Sequence, residues 1–457
     1  MRTKIICILM LLLVLGAAHS QNPVDNRQRT IVFENVNVIS MDGSGNILEN
    51  QNVVVSNGKI THIGKQKIKF KEEPLIIHAK GKYLIPGLSE MHAHVPPVDD
   101  LEVMKDVLML YALNGITTIR GMLGHPKHLE LRAKIASGEI TGPRFYTSGP
   151  SVNGQSTQSP AAAAAMVRDQ KNQGYDFLKL HPGLTREKFD SIVAAAKQVG
   201  IPFAGHVSYE VGVWRAIEAG YASIDHLDGF VEGLVPGIEN MTEQQTGIFG
   251  IFIADQADTT RIPELMEALH RKNIWVVPTQ SLAERWFSAT EDAQALRAAP
   301  EMKYIDTKTL DQWVQSKNWL TGLPLYEAAS VSRYIQLRRR LIKACHQYQV
   351  GLLLGSDAPQ VFNVPGFSTH HELKYLVDAG LTPYEALETG TRNVGRYFQR
   401  TDIGTLQPGA VSDLVLLAAN PLVDINNTKK IEGVMLGNTW MPKEHIEKEL
   451  EKRKKSR

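Results

Sequence analysis

Apolar residues along this chain fall into two kinds of run. Short, nearly continuous apolar stretches occur at residues 83–91, 117–122, 144–148, 177–181, 202–207, 223–227, 274–279 and 351–356. Between them lie longer segments, such as 186–199 and 209–219, in which apolar positions recur every three to four residues. The first pattern predicts buried strands and the second amphipathic helices. Eight such βα units in succession predict an α/β fold, a parallel (β/α)8 TIM-like barrel over residues 86–400, with a doubly wound open sheet as the alternative. Outside this region the runs change character. Residues 30–33, 52–55 and 59–63 alternate or are β-branched, the pair Asn57-Gly58 is a hairpin signal, and residues 412–417 and 431–436 repeat the pattern. Residues 21–85 and 401–457 are therefore expected to build one small β-sandwich from both chain ends. Two connections, 229–262 and 281–330, are too long for ordinary βα loops and are candidate lids. The second carries Trp286, Tyr304, Trp313 and Trp319, which could floor a substrate pocket.

Composition narrows the classes. With 457 residues, 43% hydrophobic and 21% charged, the chain can bury a large core. Arg2 and Lys4, an apolar core at residues 5–15 and Ala18-His19-Ser20 have the form of a secretory leader cleaved near Ser20. A secreted or periplasmic product follows, and the apolar stretch is shorter than the roughly 20 residues that span a bilayer. Cleavage would leave 48 basic against 48 acidic residues, a balance that argues against nucleic acid as a partner. The expected partner is a small molecule or small peptide, with a homo-oligomer possible. Only Cys345 would remain of the two cysteines, so an intrachain disulfide is excluded and core packing is its expected role.

Polar residues change the picture most. His92 and His94, two apart in an extended run, point the same way. Lys179 sits inside Phe177-Leu178-Lys179-Leu180, His206 and His226 close the next two runs, and Asp357 follows Ser356. A lone ammonium inside a buried strand is costly. Carboxylation of its Nζ would turn Lys179 into an anion able to bridge two divalent cations, and the six residues together predict a binuclear metal site. With neutral imidazoles, two dications are offset by the carbamate, Asp357 and a bridging hydroxide, leaving about one net positive charge toward the substrate. Such a centre activates water and polarises a carbonyl, so hydrolysis is the expected reaction, with Asp357 moving the proton. Arg120 and Tyr209 are candidates to bind a substrate carboxylate, and His181 is a candidate neighbour of the ligands. A serine hydrolase is disfavoured, because Gly149-Pro150-Ser151-Val152-Asn153 lacks the final glycine of an elbow motif. A catalytically inactive binding protein is the other alternative.

The run Tyr83-Leu84-Ile85-Pro86-Gly87-Leu88-Ser89-Glu90-Met91-His92-Ala93-His94 resembles the first-strand motif of the amidohydrolase superfamily. Phe177-Leu178-Lys179-Leu180-His181-Pro182-Gly183, Ile224-Asp225-His226, Gly355-Ser356-Asp357-Ala358 and Gly404-Thr405-Leu406-Gln407-Pro408-Gly409 extend the resemblance over nearly the whole mature chain. It is most similar to the branch of imidazolonepropionases and prolidase-like dipeptidases. The resemblance implies that His92, His94, Lys179 and Asp357 hold one metal, that Lys179, His206 and His226 hold the other, and that zinc is the default ion. It further implies hydrolysis of an amide, dipeptide or cyclic amide C–N bond. Prolidase-like relatives often place a carbonyl-polarising histidine after the third strand. Here that loop reads Gly149-Pro150-Ser151-Val152-Asn153-Gly154-Gln155-Ser156, with Gln155 or Asn153 as stand-ins, and Asp225 precedes His226 where relatives usually have glutamate.

Overall fold

The computed structural model describes residues 22–25, 27 and 29–455, so the leader and its cleavage site fall outside the described residues. The fold is mixed α/β. One sheet of nine strands draws on both chain ends: Val24–Asp25 (β1), Ile31–Ile39 (β2), Ile47–Ser56 (β3), Lys59–Gly64 (β4), Leu75–His78 (β5) and Tyr83–Pro86 (β6) come from the first part. Then follow Leu88–Ala93 (β7), Ile116–Gly121 (β8), Arg144–Thr147 (β9), Leu178–Leu180 (β10), Phe203–Gly205 (β11), Ser223–Asp225 (β12) and Trp275–Val277 (β13). Leu414–Leu417 (β14), Ile431–Leu436 (β15) and Thr439–Pro442 (β16) return to the nine-stranded sheet, in the order β1-β16-β15-β14-β6-β2-β3-β4 with β5 beside β2. The Asn57-Gly58 pair does turn the β3–β4 hairpin: both residues have positive φ, 50° and 73°, as a two-residue turn matched to the strand twist requires. Phe33, Leu84, Leu414, Leu416 and Trp440 from the two chain ends share one apolar cluster, which is why the ends associate.

The middle of the chain alternates strand and helix. β7, β8 and β9 pair in parallel, and so do β10, β11, β12 and β13. A parallel bridge from Ser148 to Phe177 links the two groups. Helices Pro160–Gln173 and Arg186–Val199 start at the hydroxyl caps Ser159 and Thr185 and stop at Gly174 and Gly200, whose φ of 88° and 65° turns the chain back toward the next strand. The predicted eighth run is not a regular strand. Its hydrogen bonds are divided among three neighbours: Leu353 N to Val276 O (2.9 Å), Met91 N to Leu354 O (2.7 Å) and Leu354 N to Thr389 O (3.0 Å). The main apolar core lies between these short strands and the surrounding helices, and Cys345 is part of it, its Sγ 3.6 Å from Met266 Sδ.

His370, on the helix Phe367–Asp378, ties that helix to two others. Its Nε2 is 3.0 Å from Asn114 O and its Nδ1 3.0 Å from Thr428 Oγ1. Burial pushes its pKa down to about 3, whereas an unfolded histidine titrates near 6.5. Below pH ~6.5 the unfolded chain therefore takes up a proton that the folded chain refuses, so this contribution is complete above that pH and is lost as pH falls toward 3. His370→Gln is expected to cost about 1–2 kcal/mol at pH 7 and to show a shallower loss of stability between pH 6.5 and 5 than the native chain, read from urea midpoints.

Candidate metal centre

The six predicted ligands converge. Strand alternation points His92 and His94 from the end of β7 to one side, their ring centroids 5.5 Å apart. Lys179 is the central residue of β10 and is fully buried. His226 and Asp357 each adopt a left-handed backbone, φ 65° and 63°, unusual for non-glycine residues and found where a site over-determines the chain. His94 Nε2 is 2.7 Å from Asp357 Oδ1, His92 Nε2 is 3.4 Å from the same oxygen, and Lys179 Nζ is 3.3 Å from His92 Nε2. The His226 ring lies 4.4 Å from both the His92 and the His206 ring. One ligand atom from each of His92, His226 and Asp357 lies within 4.8 Å of the others.

Electrostatics favour ligand-competent forms. Burial, with Lys179 adding to it, holds His92 well below the usual imidazole range and His206 at about 3. Burial, with His92 and His206 adding to it, does the same for His226. These rings are neutral and keep a lone pair for a metal. Burial also lowers Lys179 to about 8, against the pull of Asp225. Outer partners orient two of the rings: Asp228 Oδ2 is 2.9 Å from His206 Nδ1, and Thr279 Oγ1 is 2.9 Å from His226 Nδ1. His226 Nε2 is enclosed without a hydrogen-bond partner. Such an atom costs about 1–3 kcal/mol if left unsatisfied, and a cation there would satisfy it. The imidazole and carboxylate donor set fits a divalent ion of the zinc kind.

Three residues at the centre escaped sequence reasoning. Asp225, fully buried, lies 2.9 Å from His92 Nδ1 in a contact that lacks hydrogen-bond geometry, and 3.8 Å from Lys179 Nζ. Asp228 and Thr279 are the ring partners already described. The available signal was alternation: Ser223 and Asp225 are polar residues on one side of an otherwise apolar strand. Phe249, also with positive φ, stacks on His206 and His226 at 5.9 and 5.2 Å, so part of the predicted 229–262 lid does cover the centre.

The expected substrate contacts fare differently. Arg120 is wholly buried. Its Nε donates to Met91 O (2.7 Å), its Nη1 to Ser223 Oγ and Tyr397 OH, and its Nη2 to Asp225 (3.3 Å), so all three nitrogens are bound within the protein and the guanidinium is shut away from a substrate carboxylate. Arg120→Met is accordingly expected to lower stability by about 3–5 kcal/mol, because it strands Asp225, and urea unfolding checks this. The Tyr209 hydroxyl reaches Met241 O (2.9 Å) and Ile238 O (3.1 Å), binding the lid segment to its own strand end. Tyr209 does line a cavity, with Asp228, Glu232 and Phe249. Gln155 is exposed at the rim of an adjoining cleft of ≈ 440 Å³ that also includes Ser151, Asn153 and His181. Trp313 and Tyr304 pack with Met302, Leu310 and Phe362 instead of flooring a pocket, and Trp319 is 62% exposed, because the 281–330 connection forms helices with their own core.

Over 64 residues, 14% of each chain, the sequence is 38% identical to the 5'-deoxyadenosine deaminase of Methanosarcina acetivorans, so the match spans a small part of that relative. It is 22% identical to the ochratoxinase of Aspergillus niger over 88% of this chain and 83% of that one. A solved Xaa-Pro dipeptidase with bound methionine has a similar fold, with a TM-score of 0.64 at 21% identity, covering 90% of this chain and all of the other. The model of the amidohydrolase family matches residues 83–441, and the chain belongs to that family.

Proposed function

We propose that the chain is a metal-dependent amidohydrolase that hydrolyses the C–N bond of an amide, small peptide or cyclic amide. In this reading His92, His94, Lys179 and Asp357 hold one divalent ion, and Lys179, His206 and His226 hold a second, zinc being the default and Lys179 carrying a carbamate. The observation that carries it is the enclosed, partnerless Nε2 of His226, at the point where His92 and Asp357 also converge. When bound, such ions lower the pKa of water and polarise a carbonyl. The chain supplies the rest. Asp228 and Thr279 fix two ring orientations, Phe249 excludes water over the histidines, and Asp357 Oδ1 takes the proton of the attacking water and delivers it to the leaving nitrogen. The same reading makes β7 to β13 and the 351–357 segment the eight staves of a parallel barrel within residues 86–400, flanked by a small sandwich from residues 21–85 and 401–457, in a secreted or periplasmic protein. The bridges at Ser148–Phe177 and Val276–Leu352 and the bonds from residues 354–358 to β7 support it.

Purified native protein is expected to hold about two divalent ions per chain. A panel of N-acyl amino acids, Xaa-Pro dipeptides and cyclic amides should contain a substrate whose hydrolysis stops on chelation and returns with added zinc. Undiminished turnover by metal-free protein would show the reading to be wrong.

A further inference from the structure

We propose that His181 is a catalytic residue, whose Nε2–H donates to the oxygen of the scissile carbonyl. This rests on the hydrolase reading above. The argument is a chain of hydrogen bonds, each fixing the next. Backbone N–H groups of Gln155 and Ser156 donate to Asn153 Oδ1 at 2.8 and 2.7 Å, which settles the orientation of that amide. The Asn153 Nδ2 group then faces Ser151 Oγ, 2.9 Å away, and can only donate to it. Ser151 Oγ is in turn 2.8 Å from His181 Nδ1. Among the described residues, Nδ1 is the acceptor within reach of the serine's one hydrogen, which therefore points to it. The ring proton of a neutral His181 therefore resides on Nε2.

That Nε2 has no hydrogen-bond partner among the described residues. His181 lines the cleft it shares with Ser151, Asn153 and Gln155, and its ring centroid is 5.4 Å from that of His206, one of the proposed ligands. Backbone bonds hold the assembly to the strand that bears Lys179: Val152 N to Lys179 O and His181 N to Val152 O, at 3.1 and 2.9 Å. A fixed N–H donor is thus placed beside the centre, in a cleft large enough for a small substrate. As water adds to the carbonyl carbon, the carbonyl oxygen gains charge, and a donor that keeps its proton stabilises it. His181 supplies from the fourth strand what the loop after the third strand lacks. Asn153 and Ser151 are positioning residues, and Gln155 contributes its backbone N–H.

The test pairs kinetics with the ring's protonation site. In His181→Ala, kcat should fall about 10²–10³-fold, the cost of one such donor, with metal content and KM little changed. His181→Gln, which places an amide N–H near the lost Nε2, should recover part of it, and Ser151→Ala should lower kcat while leaving the ligands intact. Nitrogen NMR of isotope-labelled histidine should show the Nε2–H form at position 181 and a shift toward Nδ1–H in Ser151→Ala. A kcat within threefold of native in His181→Ala, or a native Nδ1–H ring, overturns this role alone. Absence of hydrolysis by the native protein across the amide panel overturns the parent reading, and this one with it.

Discussion

Lys179→Ala is expected to lose metal and turnover together, with kcat/KM lower by at least about 10³-fold, and to recover both when a short carboxylic acid and zinc are supplied. The argument starts from burial. Lys179 is 0% exposed on the middle of a three-residue strand, and its Nζ is 3.3 Å from His92 Nε2. An ammonium there is opposed by desolvation, which lowers its pKa to about 8. The neutral amine that burial favours can bond through Nζ to the carbon of carbon dioxide, releasing one proton and leaving a carbamate. Alanine removes the bridging group and leaves space in which a free carboxylate can stand. Rescue is therefore the informative arm: a purely structural lysine would lower stability, and no small acid would restore rate. Full turnover of the alanine variant without additive would remove the bridge from the proposal.

How much of this was legible beforehand depended on whether a residue acts at the end of a strand or inside it. The convergence of the candidate ligands was readable because His92, His94, His206, His226 and Asp357 punctuate apolar runs, and parallel strands bring their ends together whatever the helices between them do. Arg120 was misread for a related reason. It occupies the same kind of position, but its side chain runs inward to Met91 O, Ser223 and Asp225, and only the three-dimensional inventory of acceptors shows that each of its nitrogens is bound within the protein. Asp225 was read only as standing where relatives usually have glutamate, yet it is the buried counter-charge to Arg120. The eighth run kept its place but not its regularity, since its hydrogen bonds are shared with β13, β7 and the turn at Thr389. The tryptophans of the 281–330 connection read equally well as pocket floor or core. Packing against Phe362, which is distant in sequence, decided for core at Trp313.

Asp357→Asn should keep the fold and most of the metal while kcat falls by about 10²–10⁴-fold, the range expected when a positioned proton acceptor is removed. Asp357 is 6% exposed and held by its backbone N–H to His92 O at 3.0 Å, so its position does not depend on its charge. The asparagine amide has the same shape and can turn its own oxygen toward His94 Nε2, which the native Oδ1 meets at 2.7 Å. What it cannot do is take a proton from water and return it to nitrogen. The two roles proposed for this residue, ligation and proton transfer, are thereby separated: Asp357→Ala should lose both, whereas Asp357→Asn should lose the second and retain most of the first. Steady-state kinetics beside metal analysis of the two variants reads the difference. If Asp357→Asn turned over at the native rate with metal bound, proton transfer would have to belong to another group. His181 would not be that group, since its Nδ1 is committed to Ser151 and its Nε2 already carries the proton it needs as a donor.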